Sequence, residues 1–371
     1  MPHDPYKALY LHIPFCVRRC LYCDFATNAV PAGDPRIDEY VEDLCLQVRR
    51  KAREGELGQV ETVYIGGGTP SHVGMKRLSM LLYTLSTSMR LEPDVECSME
   101  ANPESLTPAM VRDIWALGVN RLSIGVQSFD DAVLDTLGRA HSADDARRAV
   151  AAARERFANV SVDLMCGIPR QSLASFEQSV RQAVELGVSH VSVYPLTIEP
   201  HTPFDAMVLA GQLEEPDDDV EAAHMEAAAR ILEAAGFERY EVASYARPGF
   251  RCKHNIAYWT GVPYLGLGRS AATMTQVVGV RRMRVQDGAV TDDLDARQMA
   301  AEDLMLGMRM TDGVSDELVA RAAALVPELA QTLERLAGEG LVVHDGARWR
   351  PTPRGWLCGN ELYGALYDLA P

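Results

Sequence analysis

The sequence predicts an α/β protein, in which a parallel sheet covered by helices precedes a small helical domain. From Ala8 to about Gly236, short apolar runs alternate with stretches of helical periodicity, which is the pattern of successive βα units. From about Thr291 the pattern becomes helical and ends in an apolar hairpin over residues 340–349. That combination is typical of a small winged-helix-type domain at the carboxyl end.

Six short apolar runs are the predicted strands of the sheet. They are Ala8–Ile13, Val60–Ile65, Glu96–Glu100, Arg121–Gly125, Val160–Met165 and His190–Tyr194. The stretches between them predict helices whose ends are marked by Pro or Gly. These helices are Asp38–Arg53, Met75–Met89, Thr107–Leu117, Ala143–Arg156 and Leu173–Leu186. An acidic connector, Glu214–Asp219, then reads as the solvated start of an alanine-rich helix that ends near Ala235.

Composition limits the function classes. With 371 residues, 47% of them hydrophobic, the chain can form one large domain and a smaller one. It has no apolar run of roughly eighteen residues and no secretory pattern at its start, so we expect no membrane span and no export. Eight cysteines without a disulfide framework favour a reducing cytoplasm. The net charge of -16 argues against nucleic acid as a partner.

Three cysteines, Cys16, Cys20 and Cys23, follow the first predicted strand with the spacing C-x3-C-x2-C. Structural zinc requires four ligands, whereas thiolates on closely spaced loops hold iron-sulfur clusters. Three thiolates would leave one iron of a 4Fe-4S cluster open to a small molecule, such as the amino and carboxylate groups of S-adenosylmethionine. Tyr22 would then lie near the adenine. The sequence therefore predicts an iron-sulfur centre at this loop.

The segment Gly66-Gly67-Gly68-Thr69 closes the second strand, where glycines let a ligand approach the backbone closely. A dinucleotide fingerprint is excluded, because the G-x-G-x-x-G pattern would need glycine where Ser71 stands. Polar side chains follow the next strands, and the carboxyl ends of such strands gather the chemistry in barrels. Glu100 could accept hydrogen bonds from an ammonium group, Gln127 and Asp163 could bind ribose hydroxyls, and Arg139 could pair with a carboxylate. Taken singly, each would more simply be a salt bridge or a surface residue.

A second motif lies at His254-Asn255-Ile-Ala-Tyr258-Trp259. Imidazole is a common axial ligand of heme iron, and aromatic rings can pack against a porphyrin. A structural loop with a hydrogen-bonded histidine and a buried tryptophan is the alternative. Cys252 is a conceivable thiolate ligand, but nothing in the pattern favours it.

The cysteine motif resembles the signature of the radical S-adenosylmethionine superfamily. His12-Ile-Pro-Phe-Cys16 and Cys23-Asp-Phe25 are similar to one branch, the oxygen-independent coproporphyrinogen III oxidases and the HemW-type heme chaperones. The resemblance covers most of the chain. It implies a partial (β/α)6 radical SAM barrel over 1–236, a heme-motif and barrel-closing segment over 237–290, and a winged-helix-like domain over 291–371.

The resemblance also implies the ligand contacts. The cluster would be held by Cys16, Cys20 and Cys23. Contacts to S-adenosylmethionine would come from Tyr10, Tyr22, Gly67, Gly68, Thr69, Glu100, Gln127, Arg139, Asp163 and, more weakly, Leu196. The six residues from His254 to Trp259 match the H-N-x-x-Y-W motif associated with heme, with His254 as the iron ligand beside Asn255, Tyr258 and Trp259.

Two functions follow as expectations. The first is a cytoplasmic heme chaperone that carries a 4Fe-4S cluster, S-adenosylmethionine and heme, with heme-receiving apo-proteins and an electron donor for the cluster as partners. The second is a coproporphyrinogen III dehydrogenase, which would decarboxylate propionates by radical chemistry. Phe25 favours the carrier, because dehydrogenases of this branch typically have cysteine there. A start of only nine residues before Tyr10 and the His254 motif favour it too.

Other points are left open by the sequence. A radical methylase or heme-degrading relative is a minor alternative, no catalytic residue is assigned, and a homodimer is neither required nor excluded. From Asp292 to Asp368 there are fourteen acidic and seven basic residues, which disfavours DNA as the partner of the C-terminal domain. A lid or a protein contact is the expected role.

Overall fold

The computed structural model describes residues 4–371, and its main feature is a twelve-stranded mixed sheet. Six parallel strands form its centre, side by side in chain order. The loop after the first of them contains a pair of two-residue strands. In chain order these strands are β1 (Tyr6–Ile13), the short β2 (Phe15–Cys16) and β3 (Asn28–Ala29), β4 (Leu57–Gly67), β5 (Arg90–Ala101), β6 (Arg121–Gln127), β7 (Asn159–Cys166) and β8 (His190–Pro195). All six predicted strands are confirmed, and each is longer than predicted.

The five helices predicted between these strands are also confirmed. They are α1 (Pro35–Arg53), α2 (Met75–Ser88), α3 (Pro108–Ala116), α5 (Ala143–Arg154) and α6 (Leu173–Glu185), and the sequence missed the short α4 (Asp131–Leu137) and α7 (Pro203–Leu209). The acidic connector leads into α8 (Asp218–Ala234) as predicted. The Asp217 carboxylate accepts the backbone N–H groups of Asp219 and Val220, so it caps that helix. Within residues 4–371, no helix is both long and apolar enough to cross a membrane.

The two faces of the central sheet differ in polarity because side chains alternate along each strand. The outward face packs under the helices and is apolar, as at Ile65, Ile124 and Val162. The inward face is polar although it is buried; it includes Thr62, Ser98, Arg121, Ser123, Ser161, His190 and Ser192. The inside of this partial barrel is therefore a buried polar layer that must satisfy its own hydrogen bonds.

The sequence did not predict the strands at either edge of the sheet. On one side, β11 (Tyr264–Leu267) pairs in parallel with β1. Gly266 lets the chain fold back closely after β11, because a Cβ there would lie 2.1 Å from the carbonyl oxygen of Ala272. Antiparallel strands β12 (Ala272–Val277), β13 (Arg281–Gln286) and β14 (Ala289–Asp295) continue this edge, and β9 (Glu238–Arg239) and β10 (Ser244–Ala246) form the other beyond β8. These strands are short or charged, so they lack the apolar alternation by which a strand is predicted.

The C-terminal part has its own small core and sheet, as expected for a winged-helix-like domain. Its helices are α10 (Ala296–Gly307), α11 (Asp316–Ala323), α12 (Leu329–Gly338), α13 (Pro353–Leu357) and α14 (Gly359–Tyr367). The predicted hairpin is present as β16 (Val342–His344) and β17 (Arg348–Pro351), and β15 (Val314–Ser315) adds a third strand beside β17. The predicted domain limits remain predictions, and the limit at residue 291 falls inside β14.

Helix α10 connects the two edges of the open sheet. On one side, the guanidinium of Arg282 on β13, only 2% exposed, pairs with Glu302 at 2.5 Å and with Asp303 at 2.7 Å. On the other side, the chain just after α10 reaches the segment between β9 and β10. There the Thr311 N–H donates to the Tyr240 carbonyl at 3.1 Å. The helix therefore spans the gap that the sheet leaves open.

The buried ion pair at Arg282 should contribute strongly to stability. Arg282→Met would leave Glu302 buried with only Arg284, at 2.8 Å, as its partner, and we expect the free energy of unfolding to fall by about 3 kcal/mol. The control is Arg281→Met, because the pair of Arg281 with Asp293 is 46% and 45% exposed and should contribute no more than about 1 kcal/mol. Urea unfolding followed by circular dichroism compares the two, and equal losses would contradict a structural role for Arg282.

Candidate functional site

The three cysteines lie on the loop between β1 and α1, at the carboxyl end of the barrel strands. All three are free thiols and half-buried. Two of the sulfurs accept hydrogen bonds from outside the loop: Thr69 Oγ1 donates to Cys16 Sγ, and Arg139 Nη1 donates to Cys20 Sγ, each at 3.3 Å. The loop is thus held on both sides by residues that follow other strands.

Three thiolates on one loop are a ligand set that suits an iron-sulfur cluster. Within residues 4–371, no three His, Cys, Asp or Glu side chains converge as ligands of one metal ion. In a 4Fe-4S cluster each cysteine binds a different iron, so the sulfurs need not meet at one point. Burial raises the pKa of the Cys16 thiol to about 11 and also raises the pKa of Cys23. Without metal these groups are therefore neutral thiols at pH 7.

Cys16 and Cys20 are connected by a continuous series of hydrogen bonds. Thr69, which bonds Cys16, accepts a hydrogen bond from Asn102 Nδ2 at 2.9 Å. The Oδ1 atom of Asn102 accepts from Arg139 Nη2 at 2.9 Å, and Arg139 completes the series at Cys20. Sequence analysis did not assign Asn102 a role. Its position could have indicated a role, since Asn102 directly follows β5 at the end of the barrel where the other predicted residues lie.

Each glycine of the 66–68 segment has a packing reason within the protein. A Cβ on Gly67, whose φ is +112°, would lie 2.5 Å from the His12 ring. A Cβ on Gly68 would lie 2.9 Å from backbone atoms of Ile13 and Phe15. The glycines therefore let β4 approach the start of the cysteine loop. A ligand contact at Gly67, Gly68 and Thr69 stays a prediction.

Glu100 lies at the end of β5 and is held by two donors. Its Oε2 accepts the Gly67 N–H and its Oε1 accepts the Tyr64 hydroxyl, both at 2.9 Å. Burial raises the pKa of Glu100 to about 7, while these hydrogen bonds act in the opposite direction. The carboxylate therefore changes its charge near neutral pH. Tyr64 is a second residue that the sequence analysis missed.

Arg139 is not the free fork that the sequence suggested. It is 7% exposed, and besides Cys20 and Asn102 it donates to the Gly125 carbonyl at 2.6 Å. Its Nε is buried and has no hydrogen-bond partner among the described residues. The Nε–H and one Nη1–H thus remain for a ligand, while Nη2 is fully engaged within the protein.

Gln127 is the last residue of β6, and Asp163 lies on β7, as predicted. Gln127 has a φ of +65°, a left-handed conformation that is uncommon for a residue with a side chain and often marks functional sites. Both Asp163 oxygens lie 3.2–3.3 Å from the Ser123 hydroxyl, which donates to them. Burial raises the pKa of Asp163, whereas nearby Arg121 lowers it.

The remaining predicted contacts, Leu196, Tyr22 and Tyr10, have different surroundings. Leu196, 3% exposed, belongs to a small apolar cluster that Tyr22 packs against. The Tyr10 hydroxyl is 3.0 Å from His12 Nδ1, and the Tyr10 ring stacks on Tyr64 at 6.2 Å. All the predicted S-adenosylmethionine residues thus lie on the barrel strands or the segments that follow them.

The H-N-x-x-Y-W motif forms helix α9 (Lys253–Trp259), not a loop. His254 is 1% exposed, and its ring stacks on Tyr64 at 5.1 Å. Both ring nitrogens are engaged, Nδ1 with Thr62 Oγ1 at 2.9 Å and Nε2 with the Tyr258 hydroxyl at 3.0 Å. Burial, and secondarily Arg121, lowers the pKa of His254 to about 3, so the imidazole is neutral.

The other motif residues face different surroundings. Asn255 and Trp259 are half-buried, and the guanidinium of Arg309 lies 5.1 Å from the Trp259 ring. Cys252 is fully buried, and its thiol donates to Glu96 at 3.4 Å. The motif therefore joins the barrel interior to the C-terminal domain, and in this structure neither His254 nor Cys252 presents a free ligand atom.

Comparison with known proteins places this site in a family. Residues 10–183 match the model of the radical SAM superfamily, and residues 294–358 match the HemN C-terminal domain. The heme chaperone HemW of Mycobacterium tuberculosis is 37% identical over 99% of this chain and 96% of its own. The HemW proteins of Bacillus subtilis and Escherichia coli K12 are each 34% identical, over 97% and 96% of this chain and 99% and 97% of their own.

A solved structure shows the same fold. The radical SAM enzyme coproporphyrinogen III oxidase (HemN) of Escherichia coli superposes with a TM-score of 0.81, over 99% of this chain and 90% of that one, at 22% identity. The C-terminal match agrees with the separate core and three-stranded sheet that follow α10. The chain belongs to the HemW family, in the coproporphyrinogen oxidase-like branch of the radical SAM superfamily.

Proposed function

We propose that this protein is a cytoplasmic heme chaperone, which binds heme together with a 4Fe-4S cluster and S-adenosylmethionine and delivers heme to apo-proteins. The observation that carries the proposal is the identity, over nearly the whole of both chains, to proteins named heme chaperones. Phe25 supports a carrier over an oxidase, since oxidases of this branch typically have cysteine there. Its side chain is 63% exposed beside the cysteine loop.

The residues at the loop fit a cluster. Cys16, Cys20 and Cys23 would each bind one iron, and the fourth iron would remain for S-adenosylmethionine. The donors at Thr69 and Arg139 support this, because hydrogen bonds to cluster sulfurs stabilise their negative charge and tune the reduction potential. When both groups are bound, a reduced cluster supplies the electron that cleaves S-adenosylmethionine.

The residues around the loop fit S-adenosylmethionine. Glu100 would accept hydrogen bonds from the amino group, and the unpartnered Nε of Arg139 would donate to the carboxylate. Asp163 and Gln127 would bind the ribose hydroxyls. The remaining predicted contacts are Tyr10, Tyr22, Leu196 and the backbone of Gly67, Gly68 and Thr69. Thr69, Arg139 and Leu196 are buried and the other groups are half-buried, so bulk water around them is limited and each electrostatic contact is strengthened.

Heme would bind through the α9 motif, with His254 as the iron ligand and Asn255, Tyr258 and Trp259 beside it. A neutral imidazole is the form that ligates iron, and a pKa of about 3 keeps His254 neutral at physiological pH. Ligation through Nε2 requires the Tyr258 hydroxyl to release this nitrogen. The bond between these two side chains and the burial of the His254 ring are therefore the expected barriers to heme binding.

Coproporphyrinogen III dehydrogenase is the second candidate, and the complete set of S-adenosylmethionine residues at the barrel end favours it. The deciding experiment incubates anaerobically reconstituted protein with coproporphyrinogen III, S-adenosylmethionine and a reductant. Mass spectrometry then follows decarboxylated porphyrin and 5'-deoxyadenosine together. For a carrier we expect slow 5'-deoxyadenosine formation and no decarboxylated porphyrin. Decarboxylated porphyrin at many turnovers would establish the dehydrogenase instead.

Two cysteine variants serve as controls in that experiment. Cys20→Ala should remove iron, sulfide and 5'-deoxyadenosine formation, because it deletes one of three cluster ligands. Cys358→Ala changes a thiol that is equally half-buried but lies in the C-terminal domain, so it should retain all three. Iron and sulfide that survived in Cys20→Ala would contradict the assignment of the cluster.

The affinity for S-adenosylmethionine should fall as the pH falls through 7. Below its pKa of about 7 Glu100 is protonated and no longer attracts the amino group. Between pH 7.5 and 6 we expect a loss of about eightfold, measured by equilibrium dialysis. Tyr64→Phe removes a hydrogen bond that lowers this pKa, so the midpoint should move to higher pH.

Glu100→Gln is the control for this pH dependence. This variant should bind S-adenosylmethionine weakly, with the same affinity at pH 7.5 and at pH 6, because its side-chain amide is uncharged at both. A pH profile of the wild type that matched the variant would exclude Glu100 as the contact of the amino group.

Heme binding should respond in opposite directions to two changes on α9. His254→Ala removes the ligand and should weaken heme binding about tenfold or more, as measured by Soret titration with the cluster intact. Tyr258→Phe frees Nε2 of His254 and should tighten heme binding. His344→Ala, which removes a half-exposed histidine of the C-terminal domain, should have no effect. An unchanged titration for His254→Ala would remove it as the ligand.

A further inference from the structure

The outer surface of the cysteine loop is unusually apolar for a position beside polar ligands. Phe25 is 63% exposed and Val17 is 45% exposed, and each lies within two residues of a cluster cysteine. Val17 also borders an open groove of about 630 Å³, whose other walls include Val30, Pro31 and Met110. Phe25 and Val17 therefore offer apolar contact area on the outside of the cysteine loop.

The same surface carries positive charge in an acidic chain. Arg18, Arg19 and Arg269 are exposed, and each donates one N–H to a backbone carbonyl, of Arg139, Cys23 and Ala26 respectively. None of the three forms an ion pair with a carboxylate of residues 4–371. The cysteine loop itself, residues 16–29, contains one acid, Asp24, although acidic residues outnumber basic ones by 52 to 36 in the chain.

Hydrogen bonds hold the three guanidinium groups in place, but no carboxylate of residues 4–371 pairs with their positive charge. Each guanidinium is oriented by its bond to a carbonyl, and that of Arg269 also by the Asn28 side chain, while its charge and its remaining N–H groups stay available. Charges at the rim of a contact surface steer an oppositely charged partner and raise its association rate. The partner that fits is therefore acidic, with an apolar contact area of its own.

We propose that this face, formed by Val17, Arg18, Arg19, Phe25 and Arg269, is the docking surface for an acidic protein that carries single electrons to the cluster. The inference rests on the proposed cluster. In the transfer, the reduced carrier loses one electron and the oxidised cluster gains it, with no bond made or broken and no proton moved. Docking here brings the carrier against the loop that bears the half-buried Cys16, Cys20 and Cys23.

The test measures how fast the reconstituted cluster is reduced, by anaerobic stopped-flow absorbance, with two reductants. One is an acidic flavodoxin in its reduced form, and the other is photoreduced deazariboflavin, a small uncharged molecule. The variants are Arg19→Glu, which adds negative charge, and Asp24→Arg, which adds positive charge. Arg156→Glu is the matched control, because Arg156 is exposed, follows α5 at the opposite end of the barrel and forms no ion pair within residues 4–371.

With flavodoxin at low salt, Arg19→Glu should slow reduction about tenfold and Asp24→Arg should speed it severalfold. Both effects should shrink at high salt, and Arg156→Glu should match the wild type. With deazariboflavin all four proteins should be reduced at the same rate. Phe25→Ser should slow only the reaction with flavodoxin, and its effect should persist at high salt because it is apolar.

Two results would overturn the proposal. The first is equal flavodoxin rates for Arg19→Glu, Asp24→Arg and Arg156→Glu. The second is a parallel loss with deazariboflavin, which would show that the changes damage the loop instead of a docking surface. A wild-type protein that assembles no cluster would contradict the proposed function itself, and it is recognised beforehand by its iron and sulfide content.

Discussion

The series of hydrogen bonds from Cys16 through Thr69, Asn102 and Arg139 to Cys20 is the constraint on which the site depends. Thr69 follows β4, Asn102 follows β5 and Arg139 follows α4, so three separate segments of the barrel meet at one loop. A loop of this length has little regular structure of its own, apart from the two-residue pair β2 and β3. Its shape is therefore set by the barrel, and the barrel end is completed by the loop.

The polar interior explains how the two parts of the site come together. A barrel filled with apolar side chains would leave no place for Thr62, Tyr64 and Glu100, which share one face of β4 and β5. Here Tyr64 bonds Glu100 through its hydroxyl and stacks on His254 through its ring. The groups proposed for S-adenosylmethionine and for heme thus share one half-buried residue, Tyr64. Burial also sets their charge states, since it raises the pKa of Glu100 and lowers that of His254.

The sequence predicted the central strands and helices because each carries a strong periodic pattern, as in Val160–Met165 or Leu173–Leu186. It missed β11 to β14 because strands such as Arg281–Gln286 are held by cross-strand ion pairs, which leave no apolar alternation.

At the site, residue types and positions predicted Glu100, Asp163 and the cysteines. The partners of Arg139 depend on contacts between distant segments, and no local pattern encodes these. The glycines at 66–68 show the same limit, since their packing against the cysteine loop gives a reason for glycine apart from any ligand.

Helix α10 has a mechanical consequence for the barrel. The sheet is open, and its two edges are joined through a helix of 12 residues, about 18 Å long at 1.5 Å per residue. A helix resists stretching because its backbone hydrogen bonds are already formed. The width of the opening between the two sheet edges is therefore limited by this nearly rigid helix. Because α10 continues directly from β14, the barrel can widen on this side only if the chain after α10 releases its contacts with Tyr240 and Glu241. The C-terminal domain packs on α10, so a movement that opens the barrel at this helix must also move the whole domain.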